Sequence, residues 1–234
     1  MSDTLSFVTS QTTPPIGLRE RNKAKRREAI VDSALALLRE HPLSEVSIER
    51  IAAGAEVAPA TVYNLVGSRE QLLFACVDRV VDDLVEDLIA LGAEADPIDR
   101  ATLIVDRTAE AFIADRRAYR QIVGAVGDLT RTGSMMAIDP AQLQISAMRD
   151  AQARGLLRDD VDPAAVGRQV YLSYNGALLA WAGNGLTDEG FRVAVRHGLM
   201  TALAACATDR HRRRFLDELR RLGIRLADAG WGNS

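Results

Sequence analysis

Three stretches of the sequence carry side chains whose type and spacing can do chemistry. Between Arg19 and Arg27 six cations (Arg19, Arg21, Lys23, Lys25, Arg26 and Arg27) stand against one anion, Glu20. That local charge of +5 within nine residues suits contact with a polyanionic backbone. Further on, Thr61, Tyr63 and Asn64 supply two hydroxyls and an amide beside the short side chains of Ala58, Pro59 and Ala60. Such a set can bond phosphates or base edges where the backbone approaches closely. In the C-terminal half, Phe112, Tyr119, Met148, Tyr171, Tyr174, Asn175 and Trp181, with Met135 and Met136, could line a mostly apolar pocket. Each of these also serves as an ordinary core residue, and Trp181 with the Tyr and Asn groups stands out because buried hydroxyl, amide and indole N–H groups need partners.

Catalytic constellations are not found. His41, His197 and His211 are far apart and none has metal-ligand spacing, and there is no phosphate-binding glycine loop or GxSxG elbow. Cys76 and Cys206 each lie in an apolar stretch without redox spacing, as buried small hydrophobes do. The acid pairs Asp82–Asp83, Glu86–Asp87 and Asp159–Asp160 read as solvated faces or helix caps. No enzyme activity, cofactor or metal is expected. The formal net charge of −3 argues against a uniformly basic coat, so any nucleic-acid contact is local.

The elements that must position these groups are helical. A chain of 234 residues with 47% hydrophobic, 26% charged and only 5% aromatic residues can bury a core, and its apolar mass favours helices over a strand-rich sandwich. Ile30, Ala34, Leu37, Leu38 and His41 follow helical spacing up to Pro42. Short helices are expected around Val46–Ala55, opened by Ser44 or Ser47, and from Ala58 with Pro59 in its first turn. Ser68 with Gln71 forms a capping box that opens a long amphipathic helix to Leu91. Further helices are predicted at Asp99–Arg116, Arg117–Arg131, Pro140–Arg154, Pro163–Gly183, Thr187–Ala207 and Arg210–Leu226. The expected organisation is a disordered lead at residues 1–18, a unit of short helices with a basic arm at 19–67, a larger helical region at 68–207, and a basic C-terminal helix and tail at 208–234. Met1–Thr13 shows no secretory signal, and the uncharged window Gln169–Thr187 is too polar to span a bilayer. A cytoplasmic protein without membrane partners follows.

Two short helices joined by a tight turn at Gly54–Val57, after a helix and a cationic arm, fit a helix-turn-helix that lays its second helix in a major groove. The pattern Ser47-x-x-x-Ile51-Ala52-x-x-Ala55-x-Val57-x-x-Ala60-Thr61-Val62-Tyr63-x-x-x-Gly67-Ser68-Arg69-Glu70-x-Leu72 resembles the DNA-binding signature of the tetracycline-repressor (TetR) family. The sequence departs from that pattern at Glu56, where the family has glycine, at Leu65, where histidine is common, and at Val66, where phenylalanine is common. A left-handed Glu56 would carry strain of about 1 to 2 kcal/mol.

The resemblance implies an all-α chain with an N-terminal three-helix helix-turn-helix domain and a larger C-terminal helical domain for ligand binding and dimerisation. By the same resemblance Ser47 caps its helix and touches phosphate. Pro59, Ala60, Thr61 and Asn64 face the groove, and Tyr63 and Arg69 contact phosphate. The 19–27 arm reaches along the backbone or into the minor groove. The implied partners are a double-stranded palindromic operator, a second copy of the chain and a small, mostly apolar effector. The Pro163–Gly183 and Thr187–Ala207 helices are the expected dimer surface, through Gly176, Ala177 and Ala180 and through Val193, Val195, Leu199 and Leu203. The competing reading is an all-helical small-molecule enzyme or carrier with a fortuitous helix-turn-helix.

Overall fold

A computed structural model describes residues 17–92, 94–130, 139 and 141–229. The described residues form α1 (Leu18–Glu40), a short 3-10 turn (Leu43–Glu45), α2 (Ile48–Gly54), α3 (Pro59–Leu65), α4 (Arg69–Leu91), α5 (Pro97–Ala114), α6 (Arg116–Thr130), α7 (Ala141–Ala153), α8 (Pro163–Ala182), α9 (Asp188–Cys206) and α10 (Asp209–Ala229). Among them the only β pairing is an isolated bridge between Leu157 and Ala207. The fold is all-α. The expected lead over residues 1–16, Met135, Met136 and the ends placed at Arg131 and Pro140 lie outside the described residues.

The cationic run is not an arm. Leu18–Glu28 forms the first turns of α1, exposed throughout, and the same helix then buries Ile30, Val31, Ala34, Leu35 and Leu38. Arg, Lys, Glu and Ala are good helix formers, so a run with no apolar face still extends a helix nucleated by the packed residues that follow it.

Local chemistry sets the other boundaries. Ser68 Oγ accepts from Gln71 N at 3.3 Å while Ser68 N donates to Gln71 Oε1 at 2.8 Å, so the expected capping box opens α4. α5 begins two residues before the predicted Asp99, because Asp96 caps it by accepting from Ile98 N at 2.7 Å and Pro97 takes the first helical position. Asp162 and Thr187 cap α8 and α9 in the same way.

Packing divides into two regions joined by α4. In the first, α1 lies against α2, α3 and the start of α4. Ser33, buried on α1, donates to the Ile51 carbonyl at 2.9 Å, and a Cβ on Gly54 would sit 2.3 Å from the Ser33 Oγ. That glycine is what lets α1 and α2 close. In the second region α9 is the centre, covered by α5, α8 and α10, and α7 packs on α8 where Gly167 passes the backbone of Ile145. Phe215 and Leu222 insert α10 into this core, with its arginines outward. Val193, Val195, Leu199 and Leu203, expected at a surface between copies, are instead fully buried within one chain. α10 covers the side of α9 that the sequence left unpartnered. The apolar groups left exposed on α8 are Leu172 and Leu179, 55% and 51% exposed, with open space beside Gly176.

Candidate nucleic-acid interface and ligand cavity

α2 and α3 make a helix-turn-helix whose turn is closed by its own backbone. Val57 N donates to the Ala52 carbonyl at 2.9 Å and Glu56 N to the Ala53 carbonyl at 3.2 Å, with Glu56 at φ 55°. This is a Schellman closure with a left-handed residue where glycine is the usual occupant, so Glu56 carries the expected strain. Val62 is the buried residue of α3, and Leu65 and Val66 pack partly against the same core. The opposite face is free: Pro59, Ala60, Tyr63 and Asn64 are exposed, Tyr63 by 55%, and Thr61 is half-buried.

Beside this face the helical run of α1 contributes an unforeseen feature. Arg19, Asn22, Lys23 and Arg26, at successive helical turns, form one wall of an open cleft of about 490 Å³, and Thr61, Asn64 and Leu65 form the other. Three cations are thereby held next to the amide and hydroxyl of α3. Arg21 and Lys25 are exposed but do not line the cleft, and Arg27 acts on Asp78 of α4, whose carboxyl burial pushes up and Arg27 draws back down. Ser47 Oγ caps α2 by accepting from Arg50 N at 3.3 Å. Arg69, at the start of α4, hydrogen-bonds the Leu43 carbonyl through one guanidinium nitrogen, which fixes the turn before α2 and leaves its other donors outward.

α6 grips the same corner from the other side. Leu43 N donates to Gln121 Oε1 at 2.6 Å, and Gln121 Nε2 donates to the carbonyls of Leu38 and His41 at 2.9 and 3.3 Å. Arg117 donates to the Glu40 carbonyl at 2.9 Å, and Arg39 pairs with Asp115 at 2.6 Å. Gln121 gave no signal in the sequence, because its partners are backbone atoms roughly eighty positions away.

The second candidate site is a cavity of about 90 Å³ between α4, α5, α7 and α8, partly open to solvent. Val77, Val80, Val81 and Leu84 of α4 line it together with Ile104, Val105, Thr108 and Phe112 of α5, Leu143 and Gln144 of α7, and Val170, Tyr171, Tyr174, Asn175 and Leu178 of α8. Phe112, Tyr171, Tyr174 and Asn175 thus line one cavity. Tyr119, Met148 and Trp181 are not. The Tyr119 hydroxyl donates to the Cys76 carbonyl at 3.2 Å, and Met148 is fully buried elsewhere. Trp181 stacks on Phe191 at 5.2 Å and donates to Asp188 Oδ1 at 2.8 Å, under the guanidinium of Arg120. Its indole N–H has a partner inside the protein, which is why it does not turn to the cavity.

Burial opposes the charge of Asp188, but the Trp181 N–H and the guanidiniums of Arg116 and Arg120 outweigh it and hold the carboxyl below the usual range. Burial also lifts the Tyr174 phenol well above its ordinary value and pushes the Cys76 thiol up to about 12, so both are neutral at physiological pH. Gln144 and Thr108 were not anticipated. The signal for Gln144 was present, since Ala141, Gln144, Ile145 and Met148 share one helical stripe and three of the four are apolar. Among the described residues no His, Cys, Asp and Glu group could hold a metal ion.

Comparison with known proteins agrees with this geometry. Residues 30–76 match the family model for bacterial regulatory proteins, tetR family. The chain is 35% identical over 81 residues to the HTH-type transcriptional regulator BetI of Rhizobium meliloti, covering 34% of this chain and 40% of that protein. It is 31% identical over 96 residues to EthR of Mycobacterium tuberculosis, covering 40% and 44%. The matched stretch thus spans less than half the length of these curated relatives. In fold the chain is similar to Thermus thermophilus FadR, a TetR-family repressor solved with lauroyl-CoA, with a TM-score of 0.63 at 20% identity over 78% of this chain and 95% of that one.

Proposed function

From the match of residues 30–76 to the family model for bacterial regulatory proteins, tetR family, we propose that this chain is a TetR-family, ligand-responsive repressor that binds a palindromic operator as a homodimer. The carrying observation is the cleft in which Arg19, Lys23 and Arg26 stand beside Thr61 and Asn64. Cations from α1 hold the phosphate backbone while α3 enters the major groove, with Asn64 reading a base edge and Tyr63, Ser47 and the outward donors of Arg69 on flanking phosphates. In this reading residues 19–67 are the DNA-binding unit, 68–207 the regulatory and dimerisation region, and 208–234 a basic C-terminal addition.

A second copy docks on the exposed stripe of Leu172, Gly176 and Leu179 along α8. Two recognition helices must stand about 34 to 36 Å apart, or a multiple of one DNA turn, so the interface has to be fixed. The effector occupies the interior cavity, whose α4 wall belongs to the helix that starts at Arg69 beside the helix-turn-helix. A preference of about 1 to 3 kcal/mol for the non-binding state weakens operator affinity roughly 5- to 150-fold. The protein acts in the cytoplasm; among the described residues no helix is long and apolar enough to cross a membrane.

Selection of bound duplexes from a random library by the purified protein tests this. The expected result is an inverted repeat, with Asn64→Ala relaxing preference at one position per half-site by about 1 to 3 kcal/mol and Tyr63→Phe weakening all sequences alike. A selected pool without sequence preference would remove the proposal.

A further inference from the structure

Most of the cavity wall is hydrocarbon, but two polar atoms in it have no partner in the protein. Gln144 is 2% exposed, and its Nε2 donates to the Ala101 carbonyl at 3.1 Å. The amide orientation is fixed by that bond, because only the nitrogen can donate to a carbonyl, and Oε1 is left buried and unbonded in a side chain that lines the cavity. The Tyr174 hydroxyl is in the same condition. Thr108 is its side-chain neighbour and bears on its ionisation, but donates its own proton to the Ile104 carbonyl at 2.6 Å and can meet the phenol only by accepting, so the phenol oxygen's lone pairs are left without a donor. A folded chain rarely leaves one such atom unsatisfied, and here two belong to one cavity. None of the lining residues carries a charge.

We propose that this cavity is built for an uncharged, mainly hydrocarbon molecule that brings a hydrogen-bond donor to Gln144 Oε1 and a polar atom to the Tyr174 hydroxyl, that is, a lipophilic alcohol or amide. The proposal rests on the ligand-responsive reading above and narrows its effector to a chemical class. A carboxylate or ammonium ion would be stripped of water against Val77, Val80, Val105 and Leu178 with no counter-charge to meet it. A pure hydrocarbon would fill the space and leave both polar atoms orphaned. The volume of about 90 Å³ is smaller than the roughly 150 Å³ that holds a benzene, so the closed part takes a short chain and the rest of a longer molecule extends through the mouth.

The test is a methyl-detected NMR titration of the full-length protein with five butyl probes: 1-butanol, butyramide, 1-chlorobutane, butyrate and butylammonium. Shifts at the methyls of Val77, Val80 and Leu178 place the probe. Butanol and butyramide are expected to bind roughly 3- to 10-fold more tightly than 1-chlorobutane, while the two ions leave these methyls unmoved. Gln144→Met should bring 1-butanol down to the affinity of 1-chlorobutane, and Tyr174→Phe should reduce the advantage of butyramide. Both replacements nearly conserve volume, and the wild-type series decides alone if either variant fails to fold. Equal affinity for 1-butanol and 1-chlorobutane, binding of butyrate at these methyls, or no shift there with any probe overturns the proposal. Operator affinity is measured in parallel. A probe that binds as expected without changing it leaves the ligand class standing and removes the regulatory reading.

Discussion

On α3 the side chains that can do chemistry point outward from a short helix anchored by one fully buried residue, Val62. Around the cavity they point inward from walls contributed by four helices. The first arrangement asks little of the core. Tyr63 and Asn64 could change without disturbing a packed neighbour. The second is woven into the core, where Gln144 and Tyr174 must satisfy both packing and whatever enters. An outward site is therefore written in residue type and spacing, and an inward one in the few places where polarity interrupts a buried stripe.

The strongest challenge to this contrast is to strip the outward face. Replacing Arg19, Lys23 and Arg26 together by Ala should flatten the log–log salt dependence of operator affinity by up to about 2.7, roughly 0.9 per lost phosphate contact, and weaken binding on the order of 10²-fold near 0.1 M salt. Because all three are exposed, the melting temperature should stay put. A variant that melts early while keeping its salt slope would break the contrast.

The complementary challenge is to the interior. A Cβ on Gly167 would lie 2.6 Å from the backbone of Ile145, so Gly167→Val should cost about 1 to 3 kcal/mol of stability in chemical denaturation. Gly124→Ala, exposed on α6 with open space around it, should cost nothing and gain up to about 1 kcal/mol of helix propensity. Similar losses for both would show that α7 and α8 are less closely joined than described.

Glu56→Gly sharpens the comparison at the turn itself. Relief of the left-handed strain, partly offset by the freer unfolded glycine, should raise stability by about 1 kcal/mol without altering operator preference. Denaturation curves and the library selection read the two halves of that expectation.

Asp188→Asn is the smallest. It keeps an acceptor for Trp181 but loses the charge facing Arg116 and Arg120, at a cost of about 0.5 to 1 kcal/mol at neutral pH. A carboxyl whose folded pKa is depressed contributes stability above its unfolded value near 4, and that contribution disappears as pH falls through the lower folded value. Wild type and variant should therefore converge in stability in that acid range; a constant difference at all pH values would assign the effect to packing.

Much of the fold was legible because helix boundaries are local events. Ser68 with Gln71, Asp162 with Pro163 and Thr187 with Gly190 each announce a helix start within a few residues. What failed to read was tertiary. The 19–27 run looks like a loose arm because nothing in it is buried, yet it inherits helicity from Ile30 onward. Val193, Val195, Leu199 and Leu203 look like a surface for another copy, since the sequence cannot say that α10 folds back over them. Trp181 suggests a ligand contact until Asp188, seven residues on, is seen to take its N–H. In each case the composition was read correctly and the neighbour was not.

Gln121 closes the end of α1 from outside the helix-turn-helix. It serves two carbonyls and one N–H that this corner does not satisfy with its own side chains. The helix-turn-helix is thus not a portable cassette. Excised before α4, it would face water with three unpaired backbone groups at the hinge between α1 and α2; grafted onto another regulator, it would need a glutamine delivered to the same spot by a foreign helix. The smallest block that can be exchanged without fraying that hinge runs from α1 through α6, so the helix-turn-helix takes the α4 and α5 walls of the cavity with it and parts from the α7 and α8 walls that carry Gln144 and Tyr174.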